Sequence, residues 1–149
     1  VQNAKDYLRD IAGIRVICYF IDDIYNLVNA LKRQSELIFI REKDYIQNPK
    51  LNGYRSFHVI IAVPVYYLDT MEYFPVEIQL RTMTMDLWAS MEHRVCYKKL
   101  PEHRDELAEA FCQYADILGK IEEQFEAYNE TGMLEEITPA QITENPTEG

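Results

Sequence analysis

Hydrophobic residues change their spacing along the chain, which predicts strands and helices in alternation. Residues 1–9 have the pattern of the end of a helix. The stretch from Ile11 to Phe20 is an almost continuous apolar run rich in β-branched residues, and it predicts a strand covered on both faces. Asp22 and Asp23 then offer an N-cap to a helix whose apolar residues recur at helical spacing as far as Leu31.

Three more strands are predicted beyond this helix, separated by turn-forming residues. A broken pattern with Asn-Pro and Asn-Gly pairs predicts a long, specifically shaped loop before the third strand. We expect the last two of these strands to pair as a β-hairpin. The predicted segments are strand Leu37–Arg41, loop Glu42–Arg55, strand Phe57–Val65, hairpin loop Tyr67–Tyr73 and strand Phe74–Arg81.

Two helices are predicted after the strands, at Thr84–Tyr97 and at about Glu102–Asn129, the second ending before Gly132. Apolar residues of the second helix follow alternating steps of four and three, as in a heptad seam. Such a seam predicts either packing on the helix's own domain or a contact between subunits, and both remain open. The seam consists of Leu107, Phe111, Tyr114, Leu118, Ile121, Phe125 and Tyr128.

These elements predict a mixed α/β (α+β) fold, with a mixed sheet of about four to five strands flanked by helices and a long C-terminal helix. We expect a core over residues 1–100, a helix for packing or oligomerisation over residues 101–131, and an acidic tail over residues 132–149. The pattern does not predict the order of the strands.

The net charge of −10 is unevenly distributed. Residues 1–100 contain 13 Lys and Arg against 12 Asp and Glu, whereas residues 101–149 contain 2 against 13. The acidity therefore belongs to the C-terminal part, and it does not exclude a phosphate-bearing ligand on the first part. Because no basic stripe occurs, we expect no DNA binding.

The remaining composition argues against a membrane protein. No apolar run approaches the roughly 20 residues that a membrane span needs, and the early charged residues do not fit a signal peptide. Cys18, Cys96 and Cys112 have no metal-binding spacing. They predict free thiols in a reducing cytoplasm.

Candidate chemistry begins at the edge of the first predicted strand. Asp10 precedes this strand beside Gly13, where a carboxylate could hold a divalent metal. Arg15 could contact a phosphate. Alone, this pattern also fits an ordinary turn or cap residue.

Two later segments carry stronger signals. Residues 43–58 combine an aromatic ring, amides and cations, which are the parts of a purine-nucleotide pocket. In the strand that follows, alternation places Glu77, Gln79 and Arg81 on one face and apolar residues on the other. A charged surface loop and a solvated sheet face would give similar patterns.

Taken in order, three segments resemble the synthetase domain of RelA/SpoT-type (p)ppGpp synthetases, in the small alarmone synthetase branch: DIAGIRVI, KDYIQNPKLNGYRSFH and VEIQLRTMTMDLWASMEHRVCYK. The resemblance spans about Asp10 to Lys98 and implies that residues 1–100 are the catalytic core of an alarmone synthetase. It implies a nucleotidyltransferase-like synthetase fold and a bacterial, cytoplasmic GTP pyrophosphokinase, which transfers pyrophosphate from ATP to the 3′-hydroxyl of GTP or GDP. A homotetramer is implied as well.

The resemblance also implies roles for individual residues. Asp10 and Glu77 would bind Mg²⁺, and Glu77 would also activate the attacking hydroxyl. Tyr54 would stack on guanine, and Arg15 would lie on the ATP side. The other implied nucleotide-binding residues are Lys50, Asn52, His58 and Gln79 around the guanosine nucleotide, with Lys43 and Arg81 in the same motifs. An upstream helical element of the family supplies further cations to ATP, and the resemblance implies that this chain begins after it.

Three other interpretations remain open. The chain could be a catalytically silent module that binds guanine nucleotides, although binding alone does not need both Asp10 and Glu77. It could be a nucleotidyltransferase of another class, although the usual Gly-Ser and Asp-x-Asp pattern is missing. It could also be an interaction protein built around the long helix. The preferred acceptor among GTP, GDP and GMP is not predicted.

Overall fold

A computed structural model describes residues 12–96 and 104–131. Within these ranges the chain forms four strands and three helices, which confirms the predicted mixed fold with a long C-terminal helix. The predicted helix over residues 1–9, Asp10, Gly132 and the acidic tail lie outside the described residues. The elements are β1 Ala12–Cys18, α1 Ile21–Lys32, β2 Ile38–Asp44, β3 Phe57–Tyr67, β4 Thr70–Thr82, α2 Met83–Cys96 and α3 Arg104–Thr131.

The four strands form one sheet in the order β1-β4-β3-β2. β1 runs parallel to β4, whereas β3 is antiparallel to both β4 and β2. The chain therefore crosses from one edge of the sheet to the other through α1. This order places β4, with its predicted polar face, between β1 and β3.

One face of the sheet is apolar and packs against α1. Ile24 and Val28 of α1 are buried against Val59 and Leu80 of the central strands, and each is at most 2% exposed. Burying side chains of this size contributes roughly 1.5–3 kcal/mol each. Ile78 is also buried on this face. The opposite face of β4 is thus left for its polar residues, as the alternation predicts.

The prediction that the first strand is covered on both faces is wrong. β1 lies at the edge of the described sheet, where β4 is its partner. Val16 and Cys18 pack on the core, but Ile14 remains 52% exposed. Ile17, on the opposite face, is 45% exposed.

Two predicted loops are shorter than expected. β2 continues through a bulge near Ile40 to Asp44, whose carboxylate then accepts hydrogen bonds from the backbone N–H groups of Ile46 and Gln47. The hairpin loop is a two-residue turn, with Leu68 at φ +52°. A leucine in this left-handed conformation is uncommon, so the turn carries no recognisable sequence signal.

The N-cap of α1 lies earlier than predicted. The helix begins at Ile21 after the N-cap Phe20, and Asp22 and Asp23 lie in its first turn. The Asp23 carboxylate accepts a hydrogen bond from the Phe20 backbone N–H at 3.1 Å. These acidic residues therefore stabilise the helix N-terminus from inside the helix.

The predicted seam of α3 does not form one packed face. Phe111 is buried against Trp88 of α2, and Leu118 is partly buried beside it. Phe125 and Tyr128, by contrast, are 62% and 56% exposed. The packed face of α3 instead includes a small residue and an acidic one, Ala115 and Glu122, because α3 also packs against the loop before β3 and the end of β4. None of the helices in the described ranges is long and apolar enough to span a membrane.

Candidate active site

The register of the sheet aligns polar residues in one row across all four strands. Gln79 of β4 lies beside Arg15 of β1 on one side and beside His58 of β3 on the other. His58 in turn pairs with Lys43 of β2. Residues paired across a sheet project from the same face. Four residues that are far apart in the sequence thus share one surface of the sheet.

A chain of hydrogen bonds connects this row to the neighbouring loop. His58 Nδ1 lies 3.0 Å from Glu77 Oε1, and His58 Nε2 lies 3.0 Å from the Tyr54 hydroxyl. Arg81 Nη2 donates a hydrogen bond of 3.0 Å to the same hydroxyl oxygen. The predicted catalytic carboxylate and the predicted stacking ring are therefore connected through one histidine.

The chemistry of these groups fixes the direction of the hydrogen bonds. An ionised Glu77 accepts hydrogen bonds only, so His58 must donate to it from Nδ1. In a neutral imidazole, Nε2 is then the acceptor, and Tyr54 donates to it. Arg81 can only donate, and it completes the chain by donating to Tyr54. The direction is therefore Arg81 to Tyr54 to His58 to Glu77.

The surroundings of His58 favour its neutral form. Burial lowers the pKa of His58, and the positive charges of Arg81 and Lys50 act in the same direction, against the opposing effect of Glu77. A neutral His58 is consistent with the single Nδ1 proton that the hydrogen-bond chain requires.

Arg81 is the buried centre of a second set of contacts. Its Nη1 donates to Asp86 Oδ1 at 3.0 Å, and its Nη2 lies 3.4 Å from the Gln79 side-chain oxygen. Arg15 Nη1 lies 3.5 Å from the same Asp86 oxygen. Asp86, in the first turn of α2, therefore contacts both Arg81 and the predicted ATP-side residue Arg15. Sequence reasoning missed Asp86, although it begins the DLWASMEH segment.

The loop before β3 presents aromatic rings and a cation together. Lys50 Nζ lies 4.9 Å from the centre of the Tyr45 ring and 4.8 Å from that of Tyr54. Tyr45 also packs edge-on against His58. Sequence reasoning missed Tyr45, which lies two residues after Lys43. Lys43 Nζ lies 5.9 Å from the centre of the Tyr45 ring. The loop thus forms an aromatic surface with positive charge on it.

Asn52 holds the shape of this loop. Its side-chain oxygen accepts a hydrogen bond from the Tyr54 backbone N–H at 3.2 Å. The following residue, Gly53, adopts φ +90°, a conformation that glycine tolerates far better than other residues. The Asn-Gly pair therefore forms a turn, as predicted, that presents the Tyr54 ring.

A pocket of about 250 Å³ lies where Glu77 meets the first strand. Gly13, Arg15, Glu77 and Gln79 line it together with Ile14. Gly13 is paired with Glu77, and a side chain at Gly13 would meet no atom within 4 Å, so the space beside the carboxylate is open. Oxygen donors such as Glu77 are the ligands that Mg²⁺ prefers. The described residues hold no cluster of three or more metal-binding side chains, and the second predicted ligand, Asp10, lies outside them.

The structure thus gathers most of the predicted site residues. Residues 2–102 match the sequence profile described as "Region found in RelA / SpoT proteins". This match spans more than half of the chain. The chain belongs to the RelA/SpoT family.

A named relative indicates which members of this family the chain is similar to. The chain is 47% identical over 123 residues to "GTP pyrophosphokinase YwaC" of Bacillus subtilis (strain 168), covering 83% of the chain and 59% of that relative. It therefore spans little more than half the length of this relative.

Solved structures of small alarmone synthetases share the fold. Synthetase 2 from Bacillus subtilis is 44% identical with a TM-score of 0.76, covering 84% of this chain and 69% of that one. Synthetase 1 from the same organism, bound to its product pppGpp, is 26% identical with a TM-score of 0.76, covering 89% of this chain and 67% of that one. The RelA/SpoT chain therefore has the fold of a small alarmone synthetase.

Proposed function

We propose that this RelA/SpoT protein is a (p)ppGpp synthetase, which transfers pyrophosphate from ATP to the 3′-hydroxyl of GTP or GDP. The observation that carries the proposal is the hydrogen-bond chain from Tyr54 through His58 to Glu77. It joins a ring suited to stacking on a base to a carboxylate suited to metal binding and proton transfer. The names of the relatives, a GTP pyrophosphokinase and a synthetase bound to pppGpp, support the same reaction.

The loop before β3 supplies the acceptor side of the site. Tyr54 stacks on the guanine ring, which a flat aromatic surface favours. Lys50 supplies positive charge for the nucleotide phosphates. Its Nζ lies over the Tyr45 and Tyr54 rings. Asn52 shapes the turn that presents Tyr54, and in this proposal its amide N–H groups contact the nucleotide. His58 and Gln79 line the path between the base and the reacting hydroxyl.

The strands β1 and β4 supply the donor side. Arg15, which is 53% exposed at its side chain, reaches towards the phosphates of ATP. Glu77 and Asp10 would hold Mg²⁺, which supplies charge neutralisation of the ATP phosphates when it is bound. Arg81 is 92% buried at its side chain, so its role is to fix Tyr54 and Asp86 rather than to bind a phosphate directly.

Glu77 takes the proton of the attacking hydroxyl. The 3′-oxygen of the guanosine nucleotide forms a bond to the β-phosphorus of ATP, and the bond between this phosphorus and the oxygen that leads to the α-phosphate breaks. AMP leaves with the electron pair, and the hydroxyl proton passes to the Glu77 carboxylate. His58 donates to the other oxygen of Glu77 and keeps the carboxylate oriented for this transfer.

The outer face of α3 supports a homo-oligomer, with a homotetramer as its proposed form. Ile117, Phe125 and Tyr128 are each more than half exposed, and exposed apolar surfaces of this kind mark protein contacts. A cytoplasmic location is part of the same proposal. It is supported by the three cysteines, all within the described ranges, which form no disulfide.

Product analysis tests the proposed reaction. The protein is mixed with Mg²⁺, ATP labelled at the β-phosphate, and GTP, GDP or GMP in separate reactions. We expect AMP and a guanosine nucleotide that carries the label at its 3′-position. GDP binding without any transfer would instead support a silent binding module, and the absence of both binding and transfer would reject the guanine-nucleotide site.

A further inference from the structure

Helix α3 packs directly against the loop that carries Tyr54. At Gly53, a Cβ atom would lie 3.0 Å from both the Ala115 Cβ and the Cys112 Cα of α3. The loop backbone and the helix therefore touch with no room for a side chain between them. This contact places Cys112 and Ala115 of α3 against Gly53, the residue that precedes Tyr54.

Arg55, the residue after Tyr54, also packs against α3. Its Nη2 donates to Asp116 Oδ1 at 3.1 Å. Its Nη1 lies over Gly119, where a Cβ atom would come within 2.6 Å of it. The guanidinium thus lies in a notch of the helix that exists because Gly119 has no side chain.

The Tyr54 ring itself packs on α2, which in turn packs on α3. It packs edge-on against Trp88, with ring centres 6.3 Å apart. Trp88 packs in turn on Phe111 and donates its Nε1 proton to the Phe111 carbonyl oxygen at 2.7 Å. Three consecutive loop residues, 53 to 55, are therefore held by α3 either directly or through one ring.

A glycine at position 119, in the interior of α3, is unfavourable for the stability of the helix. Glycine inside a helix destabilises it relative to alanine, because glycine has more conformational freedom to lose on folding. Gly119 lies well inside Arg104–Thr131, so it does not terminate the helix. The contact that uses the missing side chain is the one with the Arg55 guanidinium.

We propose that Gly119 and Asp116 are positioning residues that act through Arg55 to hold Tyr54 in its guanine-binding orientation. In this proposal α3 supports the acceptor site through the loop that carries Tyr54 and not by direct contact with the substrate. This inference rests on the proposed function, since it assigns a specificity role to residues behind the guanine-binding loop.

The Gly119→Ala variant separates positioning from stability. The added methyl group must push aside the end of the flexible Arg55 side chain, which costs little folding energy, while alanine favours the helix. We expect the melting temperature to stay equal or to rise. The dissociation constant for GDP, measured by calorimetry, should increase roughly fivefold or more because a displaced loop misplaces the stacking ring.

Two further variants and a second ligand complete the test. Asp116→Ala removes the ion pair with Arg55 and should also weaken GDP binding, whereas Lys120→Ala, on an exposed neighbouring residue of α3, should leave it unchanged. Binding of a non-hydrolysable ATP analogue, where the wild type binds it, should be the same in all variants. A Gly119→Ala dissociation constant within twofold of the wild type would overturn the positioning role alone. A wild-type protein that binds no guanine nucleotide would overturn the proposed function and this inference together.

Discussion

The buried guanidinium of Arg81 donates a hydrogen bond of 3.0 Å to the phenol oxygen of Tyr54. Its carbon also lies 5.4 Å from the centre of the Tyr54 ring. The end of β4 therefore fixes a side chain that belongs to a loop 27 residues earlier. Because the phenol proton is then directed to His58, the position of the stacking ring and the orientation of Glu77 are set by one network.

Replacing Tyr54 by alanine should weaken guanine-nucleotide binding by about 1–3 kcal/mol, the usual loss when a base loses its aromatic partner. Calorimetric titration with GDP measures this loss. Tyr54→Phe is the matched control, since it keeps the ring and removes only the hydroxyl that joins Arg81 to His58. It should retain most of the affinity. A Tyr54→Ala protein with wild-type affinity for GDP would remove Tyr54 from the pocket.

Asp86→Asn should destabilise the fold, because the buried guanidinium of Arg81 would lose its charged partner. A hydrogen bond to a charged group contributes about 1.5–3 kcal/mol, and a loss of this size should appear in the free energy of unfolding measured with urea. The control is Asp116→Asn, which alters an ion pair whose aspartate is 64% exposed. Exposed pairs contribute about 0–1 kcal/mol. Equal losses in the two variants would contradict the central position of Arg81.

Stability should fall between pH 7.5 and pH 5.5 partly through His58. Burial lowers the pKa of His58 in the folded protein. Below the ordinary histidine pKa of about 6.5, His58 is therefore protonated in the unfolded chain before it is protonated in the folded chain. The contribution of neutral His58 is therefore complete above this pH and is lost as the pH falls. Urea unfolding at both pH values should show a smaller decrease for His58→Gln than for the wild type. The same decrease in both proteins would mean that His58 titrates normally.

The strongest sequence patterns predicted the sheet and the polar face of β4. Alternation in the segment Val76–Arg81 fixed which residues face α1, and the buried Leu80 confirms it. The row from Arg15 to Lys43 could not be predicted, because it depends on the strand order and register, which are set by contacts between distant segments. The hairpin was predicted, but the short length of its turn was not, because Leu68 is not a residue typical of a two-residue turn.

In the candidate site, too, individual residues could be predicted, but the contacts between them could not. The resemblance named residues one by one, but it could not reveal that a histidine, a tyrosine and an arginine form one directed chain. Asp86 was overlooked because an acidic residue in the first turn of a helix is ordinary. Its importance arises from Arg81, which reaches it from the preceding strand. The roles of these residues in binding and catalysis remain predictions.

The apolar residues of α3 should separate into two classes when each is replaced by aspartate. Phe125→Asp alters an exposed position and should produce a smaller oligomer of unchanged stability if this face is a subunit contact. Leu118→Asp places a charge in the cluster around Trp88 and should destabilise the domain. Light scattering with a melting curve measures both effects. A Phe125→Asp protein of unchanged mass would reject the outer face of α3 as an assembly surface.

The central claim is that the Glu77 carboxylate binds metal and accepts the proton of the attacking hydroxyl. Glu77→Gln keeps the size of the side chain and removes its charge, while the apolar face of β4 beside α1 is untouched. The decisive measurement is the rate at which labelled β,γ-phosphates pass from ATP to GDP at saturating Mg²⁺, with Asp69→Asn on the exposed hairpin turn as the control. We predict a loss of at least about 100-fold in rate, with GDP affinity and melting temperature close to those of the wild type. A Glu77→Gln protein that keeps a tenth or more of the wild-type rate would contradict the catalytic role of Glu77.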